Sequence, residues 1–208
     1  DRYIEVFGGA GWVLFSRDRH AAMEVYNDIN GQLVNLFRIV KYHPEALQKE
    51  LDWILMSREQ FFDCRDDIRG TTDVQRAARF RIEPRDMQHL IENLRMVSDR
   101  LRKVLIENVD FEHLIKTYDR STALFYMDPP YYGAEDYYST EFNAGSHRRL
   151  REVLGRIQGR FVLSYNDCME IRELYDGYTI IGVDRRNNLK VKNGEPQRYK
   201  ELIIKNFS

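Results

Sequence analysis

Ala123-Leu-Phe-Tyr-Met-Asp128-Pro129-Pro130-Tyr131-Tyr132 is the stretch from which the fold can be worked out. Its apolar first half indicates a buried strand, and the strand must end at the two prolines because proline cannot donate a ladder hydrogen bond. Residues 128–132, here called the proline loop, therefore present a carboxylate, carbonyl acceptors and aromatic rings on a rigid backbone. Loops at the carboxyl edge of an open α/β sheet bind ligands. The stretch predicts a site for a planar, amino-bearing group.

The composition is that of one globular domain, or of one domain with a sizeable insertion. The 208 residues are 43% hydrophobic and 31% charged, with a net charge of -1, and this length can bury a real core. No apolar run approaches membrane-spanning length and no signal-peptide layout is visible, so we expect a cytoplasmic protein with no membrane partner. Cys64 and Cys168 have no Cys or His at ligand spacing, so we expect free thiols and no metal.

A glycine-rich turn follows the first predicted strand, residues 3–7. Residues 8–11, here called the glycine turn, read Gly-Gly-Ala-Gly, and a helix is expected to begin at Trp12 to Phe15. Glycines let the backbone approach a ligand closely, and a helix N-terminus offers unpaired N–H groups, although many such turns bind nothing. A dinucleotide fingerprint would need glycine at Leu14, so the sequence disfavours a nicotinamide oxidoreductase.

The second predicted strand, residues 22–26, leads into Asn27-Asp28-Ile29-Asn30. An acid at this point of an α/β sheet lies beside the glycine turn, where its carboxylate can accept from both ribose hydroxyls of an adenosine cofactor. Asp28 is the candidate. It could instead cap the next helix, which apolar residues at helical spacing between 33 and 40 predict, and Asn30 could serve that cap equally well.

Residues 44–102 are predicted to be a helical insertion into a sheet domain made of residues 1–43 and 103–208. Pro44 and Pro84 can each open a helix with an apolar stripe. Residues 65–103 hold ten Lys and Arg against seven acids. The charge pattern fits either nucleic-acid recognition or a solvated helical lid. The candidate DNA contacts are Arg76, Arg79, Arg81 and Arg85.

The sheet resumes after the insertion. Strands are predicted at 103–107, 123–128, 160–165, 178–183 and 201–207, the last two as a hairpin, which makes seven strands in an α/β fold. Ser164, Tyr165 and Asn166 end one of these strands and are as well explained by a turn as by a contact with the site. His147 is expected at a solvated helix end, with a phosphate contact as the alternative.

Four motifs follow one another along the chain: Phe7-Gly-Gly-Ala-Gly11, Tyr26-Asn-Asp28-Ile-Asn30, Asp110-Phe111 and Asp128-Pro-Pro-Tyr131. Together they resemble the Dam-type N6-adenine DNA methyltransferases, especially phage and prophage members, over nearly the whole chain. The resemblance implies a seven-stranded, Rossmann-like methyltransferase sheet that binds S-adenosylmethionine, with a helical target-recognition insertion. Two parts of the family pattern are not found in the sequence as given, a Gly-Gly-Lys segment before the first strand and a longer glycine-containing stretch near Phe80. Either the chain is a portion of a longer protein, or its cofactor pocket is open on one side.

The resemblance also implies roles for the motif residues. Asp28 would hold the cofactor ribose, Ile29 and Phe111 would sandwich its adenine, and Asp110 would lie near the adenine amino group. The methionine end would be lined by Phe7, Gly8, Gly9, Ala10 and Gly11. The flipped target base would be held by Asp128, Pro129, Pro130 and Tyr131.

The chemistry of an amino group agrees with the proline loop. The exocyclic nitrogen of adenine is a poor nucleophile because its lone pair is delocalised into the ring. Acceptors at the Asp128 carboxylate and the Pro129 carbonyl could hydrogen-bond both amino protons and aim the lone pair at a sulfonium methyl, without a metal. A base inside a duplex must first be flipped out. Tyr131 could then stack on it, or could simply pack in the core.

Two alternatives stay open at this point. Methylation of cytosine N4 would use the same acceptor geometry, and Asp at position 128 favours adenine only by resemblance. A module that binds the cofactor or DNA without turnover is the other. The expected partner is double-stranded DNA, bound by a monomer or weak dimer. Restriction–modification and phage roles both fit the family.

Overall fold

The computed structural model describes residues 1–56, 72–78, 80, 84–133, 142–192 and 195–208. Its centre is a sheet whose strands are β1 (Arg2–Glu5), β2 (Met23–Asn27), β3 (Val104–Glu107), β4 (Ala123–Met127), β5 (Arg160–Asn166), β6 (Thr179–Lys192) and β7 (Glu195–Lys205). The seven strands lie in the order β3-β2-β1-β4-β5-β7-β6. β1 to β5 are parallel, and β7 is antiparallel to both β5 and β6. The predicted seven-stranded α/β sheet and its terminal hairpin are confirmed.

The strand order reverses beside β1, and this positions the site. β1 pairs with β2 on one side and with β4 on the other, so Ile4 lies between Val25 and Phe125. All three side chains are buried. The Val6 N–H donates to the Tyr126 carbonyl at 3.0 Å, which carries the β1–β4 ladder to the strand ends. Ligands bind outside the carboxyl ends of the strands at such a reversal, and here the glycine turn and the proline loop begin side by side.

The helices are α1 (Gly31–Tyr42), α2 (Pro44–Met56), α3 (Asp73–Ala78), α4 (Pro84–Leu101), α5 (Phe111–Tyr118), α6 (Ala144–Leu154) and α7 (Met169–Leu174). Apolar side chains from α1 to α4 pack in one cluster with Tyr3, Tyr26 and Val104 of the sheet. Helices between residues 44 and 102 therefore extend the core of the sheet, while the division into two domains stays a prediction. None of the helices in the described ranges has the length and apolar character to cross a membrane.

The expected helix at Trp12 to Phe15 was wrong. The segment forms only a three-residue 3₁₀ helix, Leu14–Ser16, and Arg17 after it is extended. Leu14 is buried, but the next residues, Arg-Asp-Arg-His at 17–20, have no apolar stripe to bury against the sheet. A helix without such a stripe has little to stabilise it.

Candidate active site

The glycine turn folds tightly against β2 and requires glycine. The Gly8 N–H donates to the Asn27 carbonyl at 2.7 Å, and the Gly11 N–H donates to the Gly8 carbonyl at 2.8 Å. A Cβ on Gly8 would stand 2.2 Å from the Tyr26 ring, and Gly11 has φ +69°. Because any side chain would clash at Gly8 and be strained at Gly11, the backbone stays bare at the mouth of β1.

Tyr26 holds the glycine turn through a side-chain hydrogen bond. Its hydroxyl donates to the Gly9 carbonyl at 2.6 Å, and its ring stacks on Phe37 with centroids 4.2 Å apart. Burial raises the pKa of Tyr26, so the hydroxyl keeps its proton and remains a donor. The sequence offered no signal for this support, since the contact joins β2, α1 and the turn.

Asp28 lies directly beside the turn. One of its carboxylate oxygens accepts from the Gly9 N–H at 2.9 Å, and the other accepts from the Asn30 N–H at 2.8 Å. The side chain that caps α1 is Asn30, which accepts from the N–H groups of Gln32 and Leu33. Each oxygen of Asp28 keeps an unused lone pair, so the carboxylate is oriented and can still accept from a ligand.

Residues from all four motifs converge on one cavity of about 150 Å³ beside these strand ends. Three phenylalanines form its aromatic wall: the Phe7 ring lies 5.7 Å from Phe111 and 5.6 Å from Phe142. Apolar walls of this kind suit a flat heterocycle. The lining residues are Val6, Phe7, Asn27, Ile29, Val109, Asp110, Phe111, Pro130, Phe142, Ser146 and Arg149.

Arg149 is a cavity residue that the sequence did not reveal. Its guanidinium lies 4.3 Å from the centre of the Phe111 ring and donates to an Asp110 carboxylate oxygen at 2.6 Å. The other Asp110 oxygen accepts from the Glu112 N–H at 2.9 Å and caps α5. Asp110 is therefore already engaged as a cap and an ion-pair partner, and a ligand amino group would have to use its remaining lone pairs.

The proline loop closes the other side of the site. Asp128 is exposed at its mouth, while Pro129 and Pro130 are buried. Tyr131 is half-buried against the core, and its hydroxyl lies near Ser164 and Glu201. Burial raises the pKa of Tyr131 to about 12. The ring thus has a packing role already, and stacking on a base would use its exposed part.

Asparagines at strand ends tie these loops together. The Asn27 amide donates to the Val6 carbonyl at 2.9 Å and accepts from the Val109 N–H at 3.0 Å. Asn108, just after β3, donates to the Asp28 carbonyl at 2.7 Å. The sequence signal was an asparagine at the end of successive strands, which is visible only once the strand order is known.

Two buried polar residues, His147 on α6 and Glu5 at the end of β1, lie outside the loops themselves. His147, expected at a solvated helix end, is 1% exposed and its Nδ1 lies 2.6 Å from the Tyr165 hydroxyl; that expectation was wrong because the helix turns this face toward β5. Glu5 is also buried and accepts from the Tyr3 hydroxyl at 3.0 Å. Burial raises the pKa of Glu5 to about 7, and the nearby charge of Asp128 adds to the rise.

Arg76, the predicted DNA contact whose side chain is described, does not line this cavity. Arg76 lies on α3, pairs with Asp73 and borders a separate cleft against α1. Arg79, Arg81, the side chain of Arg85 and Cys64 lie outside the described residues. Cys168 is a half-buried free thiol. Within the described ranges, no three His, Cys, Asp or Glu side chains gather as a metal site would require.

Comparisons with known proteins find methyltransferases. Two curated relatives align over nearly the whole chain. The Type II methyltransferase M.CviBI of Paramecium bursaria Chlorella virus NC1A is 21% identical over 234 residues, which is 99% of this chain and 89% of the relative. The Type II methyltransferase M1.LlaDCHI of Lactococcus lactis subsp. cremoris is 24% identical over 256 residues, covering 100% and 87%.

The solved structures that match are more distant in sequence. An rRNA methylase from Streptococcus thermophilus has a TM-score of 0.37 and 10% identity, over 99% of this chain and 87% of that one. The rRNA methyltransferase aviRa from Streptomyces viridochromogenes has a TM-score of 0.37 and 14% identity, over 98% and 76%. The family model for D12 class N6 adenine-specific DNA methyltransferases matches residues 1–92 and 80–189. Because this family model matches most of the chain, the protein belongs to the D12 class of N6 adenine-specific DNA methyltransferases.

Proposed function

We propose that this protein is a site-specific DNA methyltransferase that transfers a methyl group from S-adenosylmethionine to N6 of a flipped adenine in double-stranded DNA. The observation that carries the proposal is the meeting of the glycine turn, Asp28, the aromatic cavity and the proline loop at the reversal of strand order between β1 and β4. Family membership supports the same chemistry.

The cofactor site is proposed to run from the glycine turn to the aromatic cavity. Asp28, oriented by the Gly9 and Asn30 N–H groups, would accept from the ribose hydroxyls. Ile29 and Phe111 line the cavity and would hold the adenine between them. S-adenosylmethionine supplies a methyl group on a sulfonium, which is electrophilic without any metal.

The target amino group is proposed to lie against the proline loop. Asp128 and the Pro129 carbonyl would accept hydrogen bonds from its two N–H groups and draw the nitrogen lone pair out of conjugation. Neither Pro129 nor Pro130 has an N–H, so this part of the loop presents backbone acceptors and no backbone donors. After transfer the amino proton is acidic and can leave to solvent past Asp128, which is exposed, so Asp128 need not be a strong base beforehand. Burial of the neighbouring Pro129 and Pro130 keeps these acceptors in place.

The test is methyl transfer by Asp128→Ala. The protein is incubated with labelled S-adenosylmethionine and genomic DNA, and the labelled base and its sequence context are mapped. We expect label on adenine N6 with the parent protein and turnover lower by about 100- to 1,000-fold in the variant, the loss typical of one removed transition-state acceptor or donor. Binding of S-adenosylmethionine, measured by calorimetry, should survive in the variant.

The control for this test is Asp176→Ala, which changes an exposed aspartate after α7. It should leave both turnover and cofactor binding as they are. Label on cytosine N4 would replace the proposed target base, and cofactor binding without any label on DNA would identify a binding module. Unchanged turnover in Asp128→Ala would remove the proposed role of the proline loop.

A further inference from the structure

We propose that Asn166 is a positioning residue of the reaction, because its side chain holds the proline loop in the geometry that aims Asp128 and the Pro129 carbonyl. The inference rests on the proposed function for its catalytic consequence. Its structural core, a side-chain clamp on the loop, can be tested separately.

The clamp consists of two hydrogen bonds to one residue. The Asn166 Oδ1 accepts from the Tyr132 N–H at 3.0 Å, and the Asn166 Nδ2 donates to the Tyr132 carbonyl at 3.0 Å. A primary amide can satisfy both backbone groups of a residue in this way because it carries an acceptor and a donor side by side. The end of the proline loop is thereby fixed to β5.

The prolines explain why a side chain is needed here. The β4–β5 pairing ends at Met127 opposite Leu163, and neither Pro129 nor Pro130 has an N–H with which to continue it. β5 itself runs three residues further, to Asn166, where it pairs with Glu201 of β7. At Asn166, β5 is held by its pairing with β7. The Asn166 side-chain amide therefore supplies, from this fixed position, the hydrogen bonds to the proline loop that the β4–β5 ladder no longer makes.

The clamp acts at a distance from the reacting atoms. Asn166 does not line the aromatic cavity, and its described partners belong to Tyr132 rather than to Asp128. Tyr132 is also supported by His147, whose ring lies 5.3 Å from its own. Removal of the clamp should therefore loosen the end of the loop at Tyr132, while Pro130, the loop residue that lines the cavity, stays buried.

The chain contains a matched control at the opposite end of the same strand. The Asn206 Oδ1 accepts from the Phe161 N–H at 2.9 Å, and the Asn206 Nδ2 donates to the Gly159 carbonyl at 3.0 Å. This second asparagine clamp also ties two backbone groups near β5, but it lies at the amino end of the sheet, away from the proline loop. Asn166→Ala and Asn206→Ala thus remove equivalent bonds at the two ends.

The first measurement is amide hydrogen exchange of the whole protein, followed by mass spectrometry of the peptide containing Tyr131, Tyr132 and Gly133. We expect faster exchange of this peptide in Asn166→Ala and parent-like exchange in Asn206→Ala. This result does not depend on any activity. Equal exchange in the two variants would overturn the inference even if the proposed function were correct.

The second measurement is steady-state methylation. We expect kcat to fall by about 10- to 100-fold in Asn166→Ala, the effect of a misplacement of roughly 1 Å, with KM and Kd for S-adenosylmethionine unchanged. Asn206→Ala should keep the parent kcat, although we expect it to lower Tm by about as much as Asn166→Ala does. Parent-like kcat in Asn166→Ala, or loss of cofactor affinity together with kcat, would overturn a positioning role. Absence of methylation by the parent protein would contradict the proposed function instead.

Asn166→Asp supplies a pH profile that a general loss of stability would not produce. A protonated Asp can accept from the Tyr132 N–H and donate to its carbonyl, whereas an ionised Asp cannot donate. The kcat of this variant relative to the parent should rise several-fold from about pH 8 to about pH 5, toward the ordinary Asp pKa of about 3.9. Asn206→Asp should show no such rise, and a flat ratio for Asn166→Asp would contradict the clamp.

Discussion

Arg100→Met removes the cation from a buried ion pair that ties α4 to β2. The Arg100 guanidinium donates to both Glu24 oxygens, at 2.9 and 2.8 Å, and the two side chains are only 11% and 3% exposed. The same guanidinium donates to the carbonyls of Arg17 at 2.9 Å and Leu14 at 2.8 Å. Arg100 thus connects the helix to the segment that follows the glycine turn.

The magnitude follows from what the substitution leaves behind. Methionine fills much of the volume but leaves the Glu24 carboxylate buried without a counter-charge, and removing one partner of a buried pair costs about 3–5 kcal/mol. In a chain of this size each kcal/mol lowers Tm by about 2–4 °C, so we expect a fall of about 6–20 °C. Urea unfolding and thermal melts followed by circular dichroism would measure it.

The control and the refuting result come from a nearby pair. Arg102 and Asp99 lie 3.1 Å apart but are 74% and 65% exposed, so Arg102→Met should cost less than about 1 kcal/mol. The double variant Arg100→Met with Glu24→Met should recover part of the loss, since an apolar replacement of both partners is often tolerated. Equal losses in Arg100→Met and Arg102→Met, or no recovery in the double variant, would refute the reasoning.

Two further predictions concern the strand ends. Glu5 stays protonated in the folded protein up to about pH 7 and ionises in the unfolded chain near its ordinary value of 4.5, so the free energy of unfolding should fall by about 3 kcal/mol as the pH rises between these values. Glu5→Gln should flatten that fall in urea titrations, whereas Glu152→Gln, at an exposed site, should not; equal slopes in both would contradict it. Gly8→Ala would drive a Cβ into the Tyr26 ring at 2.2 Å and should cost about 1–3 kcal/mol and weaken S-adenosylmethionine binding in calorimetry. Gly182→Ala, with nothing closer than 3.8 Å, should do neither, and equal binding by the two alanine variants would count against the close approach.

The parts of the site that could be predicted are those written in local sequence. Pro129 and Pro130 end a strand wherever it lies, because their missing N–H groups are a property of the residues. The glycine turn is similar. A tight turn that has no room for Cβ atoms requires glycines, and these are visible in the sequence. Such motifs can be assigned to strand ends from the sequence alone.

The two predictions that the structure contradicts concern segments whose conformation or burial depends on residues distant in the sequence. Trp12 to Phe15 has helix-compatible residues, yet the segment closes after Ser16 because the charged residues that follow have no apolar surface to cover. His147 stands among arginines in sequence, but its buried position against Tyr165 depends on how α6 rotates over β5. Neither the short 3₁₀ helix nor the burial of His147 can be predicted from the residues within one helical turn of it.

The sequence by itself determined the strands, the rigid ends of β1 and β4, and the kinds of acceptor that those ends present. Only the tertiary structure decided which ends lie together, that Arg149 lies on Phe111 and pairs with Asp110, and that Asn166 holds Tyr132. The physical reason is that a proline or glycine acts through its own backbone geometry, whereas a side-chain amide or guanidinium finds partners that are 34 to 39 residues away in the chain and adjacent only after the sheet has formed.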